Sequence, residues 1–396
     1  MVPEHVPAEL VRDFDYHTDP AFLADPFAGW DRARELRVFW TPAYGGYWVL
    51  TQLEDIRAVY QDPDGYSSRV VGIPAGRYPR TLRPLALDPP EHGVYRQVLA
   101  SAFSPNAATR MASDIRDRCR RLIDQFATDG ACEFVSQFAR PFPATIFVAL
   151  LGLPEDEASS FERWNHDLTH VYEDPGIRQT AAKNIEGALD DAVNRRRAEP
   201  SPDAEDVISV LLRATVYDRA LTHDEIVDSA FLLFMAGLDT VTAASTFAFR
   251  TLASRPDLRR RIVDDPAIIP QAIEELLRAH AIVNAARTAT RDTTIGGVQI
   301  KAGDLILVST ALACRDPEVF AHADSVDLDR AQNRHLAFGA GPHRCLGSHL
   351  ARLELRTALE EFHARIPDYR IPEGADVPVH GGGVLGIDQL PLEWMQ

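Results

Sequence analysis

The chain has 396 residues, of which 41 are Lys or Arg and 58 are Asp or Glu, for a net charge of −17. A hydrophobic share of 45% against a charged share of 25% is enough to bury a core, which excludes the disordered and fibrous classes. The acidic balance argues against nucleic acid and anionic membrane as partners, because both are held by clustered Lys and Arg.

The opening MVPEHVPAEL has neither a basic n-region nor an apolar h-region, so a cytoplasmic protein is expected. No run approaches ~18 uninterrupted apolar residues, so no membrane span is expected. Repeats, low-complexity tracts and Gly/Ser linkers are absent from the sequence, and one domain over residues 1–396 is the simplest organisation. Cys119, Cys132, Cys314 and Cys345 are far apart with no CxxC pair, which points to neither a zinc site nor a disulfide framework.

In chain order, the GYWVL run at 46–50 reads as a strand. Apolar residues then recur at three- and four-residue spacing over 107–126, 144–151, 155–172, 180–197 and 205–215, which predicts helices. Thr222 with Glu225 three residues on forms a capping box, and the helical pattern continues to Ser254-Arg255-Pro256. That is about 32 residues, or about 48 Å of helix. Its stretch AFLLFMA at 230–236 is apolar on every face, the mark of a helix buried within a large protein. Strands follow at 294–300 and 304–309, with Lys301-Ala302-Gly303 as their hairpin turn, and a last helix over 350–366. The fold class is mainly α with small β-sheets around a long buried helix.

Inside that helix the sequence reads Ala236-Gly237-Leu238-Asp239-Thr240-Val241-Thr242. An acid and a hydroxyl are costly to bury in mid-helix, and Gly237 weakens the helix by ~1 kcal/mol relative to Ala while admitting close approach of another group. Two readings stay open here. Either Thr240 bonds back to a carbonyl and Asp239 pairs with a neighbouring Arg, or the pair does chemistry. The second constellation is His335-Leu336-Ala337-Phe338-Gly339-Ala340-Gly341-Pro342-His343-Arg344-Cys345-Leu346-Gly347. Two Gly and a Pro predict a tight loop, and the amphipathic segment from Leu346 onward predicts a helix. Cys345 then sits at a helix N-terminus, where the dipole favours the thiolate that ligates iron.

Phe338-Gly-x-Gly-x-His-x-Cys345-x-Gly347 resembles the haem-ligand signature of the cytochrome P450 family. Further matches stand in the family's order. Ala236-Gly237-x-Asp239-Thr240 resembles the oxygen-activating segment of the family's long helix. Glu275-Leu276-Leu277-Arg278 resembles its ExxR motif, with Arg330 as the third partner. Asp88-Pro89-Pro90-Glu91-His92 followed by Arg96 resembles the segment that contacts a haem propionate. The strings GLDTV, PFPATIF, GLPE and RIPDY are most similar to the camphor hydroxylase branch of the bacterial soluble members.

The resemblance implies a P450 fold and haem b with Cys345 as axial ligand to iron. It implies Phe338, Leu346 and Gly347 around the sulfur, and His92, Arg96, Arg287 and His343 on the propionates. Asp239 and Thr240 would steer protons in the activation of O2. The family's acid often has a basic partner, and the sequence identifies none. Glu275, Arg278 and Arg330 would form a structural cluster bracing the Cys loop.

The pocket would draw on Val71 to Leu85, Leu232, Met235, Ala236, Val283 and Val384, which suits a small apolar substrate, terpenoid or aromatic. Arg77 and Arg80 would extend this to an acidic one. No flavin domain or iron–sulfur Cys cluster is present in the sequence, which implies electrons from a separate ferredoxin and its reductase, docking near Arg110, Arg116, Arg344 and Arg352. The expected activity is insertion of one oxygen atom from O2. A peroxide-driven haem-thiolate enzyme and a non-catalytic haem-binding sensor remain the alternatives.

Overall fold

The computed structural model describes residues 2–76, 78–171, 174–201 and 203–395. Helices surround one continuous cluster of buried apolar side chains, and at its centre runs His223–Ser254, 32 residues long. Thr222 caps this helix: its side chain accepts from Glu225 N–H while the Glu225 carboxylate accepts from Thr222 N–H at 2.7 Å. Arg219 grips the same carboxylate at 2.7 and 2.8 Å, and Tyr95 donates its hydroxyl, so the helix start is tied to two other segments. Every side chain from Ala230 to Met235 is buried. This helix is the one among the described residues with the length and hydropathy to cross a membrane, and 72% of its apolar window is buried inside the fold.

Pro141–Leu151, Ala158–Thr169 and Pro175–Ala198 pack against the central helix, with Ser348–Arg365 on another side. The contact with Pro141–Leu151 explains the mid-helix glycine. A Cβ on Gly237 would lie 1.8 Å from Phe147 Cζ, so the two helices approach as closely as they do because position 237 has no side chain.

The main sheet orders its strands Val38–Thr41, Tyr47–Leu50, Leu305–Ser309, Asn284–Ala289 and Tyr66–Ser67. Leu305–Ser309 pairs parallel with Tyr47–Leu50 and antiparallel with Asn284–Ala289. This corrects the hairpin expected across Lys301-Ala302-Gly303. The hairpin instead joins Thr293–Ile295 to Val298–Ile300 through Gly296 and Gly297, both at positive φ as a two-residue turn requires. Asp304 explains why the next strand leaves that hairpin. Its carboxylate accepts from Lys301 N–H and from Trp48 Nε1, both at 2.9 Å, which draws the chain onto the main sheet.

Helix ends moved for local reasons. The segment predicted at 155–172 is a 3₁₀ turn, Glu155–Glu157, followed by Ala158–Thr169, and Tyr172 lies outside the described residues. The helix predicted to begin at 180 begins at Pro175, where Asp174 caps Gly176 and Ile177.

Glu354, on Ser348–Arg365, is fully buried, and neither carboxyl oxygen has a hydrogen-bond partner among the described residues. Burial pushes its pKa up to about 8. The group is thus protonated in the fold at neutral pH and ionises on unfolding. Its contribution to stability is whole below the unfolded value near 4.5 and is lost as pH rises towards 8. Glu354→Gln, which cannot ionise, is expected to raise stability by roughly 2–4 kcal/mol at pH 8 and to change it little at pH 4. Chemical denaturation at the two pH values checks this.

Candidate active site

The loop around Cys345 is held from both ends. Cys345 N–H donates to the Phe338 carbonyl at 2.8 Å, closing the loop, and Gly347 caps the helix Ser348–Arg365. Gly339 and Gly341 take φ of +66° and +65°, and a Cβ on Gly341 would meet the Tyr60 carbonyl oxygen at 2.1 Å. Only glycine lets this loop lie against the helix Leu53–Gln61. Arg352 lies 4.4 Å over the Phe338 ring and is fixed by Glu274 at 2.6 and 2.7 Å.

Beneath the loop, Glu275 binds Arg278 at 2.8 and 2.9 Å and Arg330 at 2.9 Å, while Arg278 also donates to the carbonyls of Cys314, Ala323 and Ser325. Every strong donor of this buried cluster is spent on a nearby acceptor, which is what a buried ion pair needs to be tolerated.

Cys119, Cys132 and Cys314 are buried, whereas Cys345 is exposed. Desolvation acts to raise the Cys345 thiol and prevails over the Gly347 N–H bond and the charges of Arg96, Arg344 and Arg352, which act to lower it. A free thiol here stays protonated, and a metal cation at the sulfur would favour the thiolate. His92 and His343 lie with ring centroids 4.0 Å apart and planes tilted by 41°, and neither ring nitrogen of His343 has a partner among the described residues. Arg287 is 4% exposed, lies 5.2 Å over the Tyr60 ring and donates to its neighbour's carbonyl, Ala286 O. Arg96 donates to the Arg344 carbonyl.

No carboxylate forms an ion pair with these four residues among the described ones. Burial first, then Arg96 and Arg287, pushes His92 down to about 4, and burial, then Arg287 and His92, pushes His343 down to about 3. Burial also lowers Arg96 and Arg287. The charge of Asp88 reaches His92, His343 and Arg287, but that carboxylate is bonded to Ser67, Ser68 and Arg69, which leaves Arg96 and Arg287 without a paired counter-anion among the described residues. A flat group carrying anionic arms and a thiol-binding metal fits both features, the orphaned donors and the accessible sulfur.

On the central helix Ala236 is exposed and Asp239 and Thr240 are half-buried, although Met235 and Leu238 beside them are buried. This stretch therefore faces open space inside the molecule. Thr240 Oγ1 donates to the Ala236 carbonyl at 2.8 Å, the back-bond that one reading of the sequence expected, and its lone pairs are left to accept. Asp239 pairs not with an Arg but with His170, Nε2 to Oδ1 at 2.7 Å. This is the basic partner that the sequence did not reveal. The available signal was His166-x-x-x-His170, one face of the predicted helix 155–172. Burial acts to raise the Asp239 carboxyl, but the charge and hydrogen bond of His170, with His380 and His166, outweigh it and hold it below its ordinary value.

Leu232 and Met235 are buried on the central helix, and Val283 and Val384 face each other across an isolated antiparallel bridge. Arg80 does not fit the acid-gripping role. Its Nε donates to Asp228 at 2.7 Å and its Nη2 reaches Asp224 at 3.3 Å, while Arg83 takes the other Asp228 oxygen. The cation ties its loop to the start of the central helix. Arg77 lies outside the described residues. Of the docking candidates, Arg110 pairs with Glu205 at 3.2 Å, Arg116 is held by Glu360 and Glu361, and Arg352 by Glu274. Arg344 is exposed.

Comparison with known proteins adds to this geometry. The sequence profile described as Cytochrome P450 matches residues 40–265 and 267–365. A protein of Sinorhizobium fredii (strain NBRC 101917 / NGR234), named probable cytochrome P450 127A1, is 36% identical over 99% of this chain and 97% of its own length. The mycinamicin IV hydroxylase/epoxidase of Micromonospora griseorubida is 37% identical over 89% of this chain and 91% of its own. The crystal structure of CYP101J2 superimposes with a TM-score of 0.91 at 32% identity, covering 100% of both chains.

Proposed function

The chain belongs to the cytochrome P450 family, and from that premise we propose how its own residues divide the work of a haem-thiolate monooxygenase. Members of the family bind haem through a cysteine thiolate, and bound haem supplies the activation of O2, which thiolate donation favours. In this reading residues 1–396 act as one domain and Cys345 provides the thiolate. The Gly347 N–H bond to its sulfur lowers the electron density there and so tunes the metal, with Leu346 and Phe338 packed around it. His92, Arg96, Arg287 and His343 hold the anionic arms of the haem through charge-assisted bonds. The observation that carries this assignment is the coincidence of the one exposed thiol with two arginines and two neutral histidines that have no ion-pair partner among the described residues.

Above it, Thr240 Oγ1 keeps its own hydrogen on the Ala236 carbonyl, so the oxygen acts as an acceptor that holds a donor in place. Asp239 supplies the proton, through the carboxyl that His170 orients. The substrate class is small and mostly apolar, a terpenoid or a small aromatic, set by Leu232, Met235, Ala236, Val283 and Val384. With Arg80 committed to Asp228 and Asp224, the acidic variant of that class loses its support. Electrons come one at a time from a separate ferredoxin and its reductase in the cytoplasm, with Arg344 the cation of the docking set that has no carboxylate partner among the described residues.

Titrating a library of neutral terpenoids, small aromatics and their carboxylic acids into the holoenzyme tests this reading through the Soret band. Neutral ligands are expected to shift it and acids to bind at least about tenfold more weakly. Tighter binding of the acids, weakened in Arg80→Ala, would reverse the substrate assignment.

A further inference from the structure

Behind Asp239, on the side of the central helix that meets Ala158–Thr169 and the hairpin Val379–His380 with Gly386–Ile387, lies a small opening whose lining includes Arg140, Glu162, His166, His170, Asp239 and His380. His170 Nε2 holds Asp239 Oδ1 at 2.7 Å. Across the opening His380 Nδ1 holds Asp388 Oδ1, also at 2.7 Å. The two imidazoles lie with centroids 4.0 Å apart and their planes tilted by 54°. Their two other nitrogens, His170 Nδ1 and His380 Nε2, are both buried and both lack a partner among the described residues. The sequence Asp388, His380, His170, Asp239 is thus bonded at each end and open at one link, whose two nitrogens become donor and acceptor when one of the rings carries a second proton.

The inner pair is the less exposed, 12% for the Asp239 side chain and 10% for His170, against 17% for His380 and 36% for Asp388. The inner end touches the acid beside Thr240 and the outer end reaches water. We propose that Asp388, His380 and His170 form a proton path from solvent to Asp239, closed at its open link by a hydrogen bond between His380 Nε2 and His170 Nδ1, direct or through one water. The proposal rests on the oxygen-activating role assigned to Asp239 and Thr240.

The step balances without an oxidant or reductant. His170 Nε2–H gives its proton to Asp239, and His170 Nδ1 accepts one from Nε2–H of His380, which is an imidazolium once the Asp388–His380 pair has taken a proton from solvent and is left with Nδ1–H on ionised Asp388. Each passage leaves the His170 ring in the opposite tautomer, and ring rotation or exchange with water in the opening resets it. One proton moves inward and no electron moves.

The other groups facing the pair set its charge. From Ala158–Thr169 come Glu162, His166 and Asp167, with His166 5.4 Å from His170 by ring centroid, and from the start of Pro141–Leu151 comes Arg140. Burial first, then Arg140 and His170, lowers His166 against the pull of Asp167, whereas Asp388 is held below its ordinary value by His380, His170 and Arg140 against burial that acts to raise it. His170 and His380 therefore act as positioning and supplying residues, through Asp239, and touch neither substrate nor haem in this scheme.

The test uses the holoenzyme with His170→Gln and His380→Asn, which keep a hydrogen-bonding side chain but cannot relay a proton, and Asp388→Asn as a third variant should either fold poorly. With haem content and substrate affinity unchanged, turnover at pH 7 is expected to fall about tenfold and to lose its dependence on pH between about 6 and 8. Turnover within about twofold of the parent, with the parent's pH profile, would overturn the path. An independent reading comes from NMR of ring-labelled histidine in the reduced, carbon monoxide-bound protein, which is diamagnetic. The ring nitrogen shifts are expected to show His170 Nδ1 hydrogen-bonded in the parent and without that bond in His380→Asn. A His170 Nδ1 shift identical in the two proteins would likewise overturn it. A parent that forms no product at any pH overturns the oxygenase reading instead, and the proton path is then decided by the ring nitrogen shifts.

Discussion

Cys345→Ser is expected to abolish the haem-thiolate absorption of the reduced carbon monoxide complex and to lower product formation by ~10³-fold or more, with the helical fold retained. The argument starts from the backbone. The loop is shaped by Cys345 N–H on Phe338 O, by Gly339 and Gly341, and by the helix that starts after Gly347, and the one bond these make to the sulfur, from Gly347 N–H, is one a serine oxygen can accept. A serine therefore occupies the same place. Its hydroxyl is far less acidic than a thiol and a poor donor of electron density to iron, so the change removes ligation and donation while leaving the geometry. The control is Cys119→Ser. That thiol is buried, contacts the Thr357 carbonyl at 3.8 Å and is pushed well above its ordinary pKa by burial, so its loss should leave the spectrum unchanged and cost packing alone. Absorbance, product yield and far-ultraviolet circular dichroism of the two variants separate the outcomes. A serine variant that kept the thiolate band would refute the assignment of position 345.

Elements whose cause is local could be read from the chain. The capping box at Thr222 and Glu225 and the all-round apolar run after it specify a long buried helix, and the structure has it from His223 to Ser254. The tight loop before Cys345 was legible because glycine and proline restrict the backbone within a few residues. Other features depend on partners distant in sequence. The pairing of Leu305–Ser309 with Tyr47–Leu50 follows from Asp304 reaching Trp48, 256 residues away, which no local turn pattern carries. The partner of Asp239 was missed for the same reason. A histidine on an i, i+4 face is compatible with a surface, a core or a site, and only the packing of Ala158–Thr169 against the central helix decides among them. Arg80 shows the converse. Two basic residues in a loop look free to meet an acid, yet Asp224 and Asp228, one turn apart on the central helix, already meet one of them.

Thr240→Ala is expected to keep reductant consumption within about threefold of the parent while product per reductant falls about tenfold or more and hydrogen peroxide accumulates. The hydroxyl makes one hydrogen bond to protein, back to the Ala236 carbonyl, an interaction that slightly opposes regular helix. Its removal should leave stability unchanged or raise it by a few tenths of a kcal/mol, since Ala is the better helix former. The loss must then fall on what the oxygen accepts from, which is the position of the donor that feeds protons to reduced oxygen. Asp239→Asn should behave differently. The amide can still bond His170, so the helix and the loop it touches keep their places, but it cannot release a proton at neutral pH. Reductant consumption itself is expected to slow by about 10–100-fold, with the product that forms remaining well coupled. The two variants thus separate supply of the proton from its placement. Measuring reductant, product and peroxide together distinguishes them, and identical behaviour of both would show that the acid and the hydroxyl do not hold separate roles.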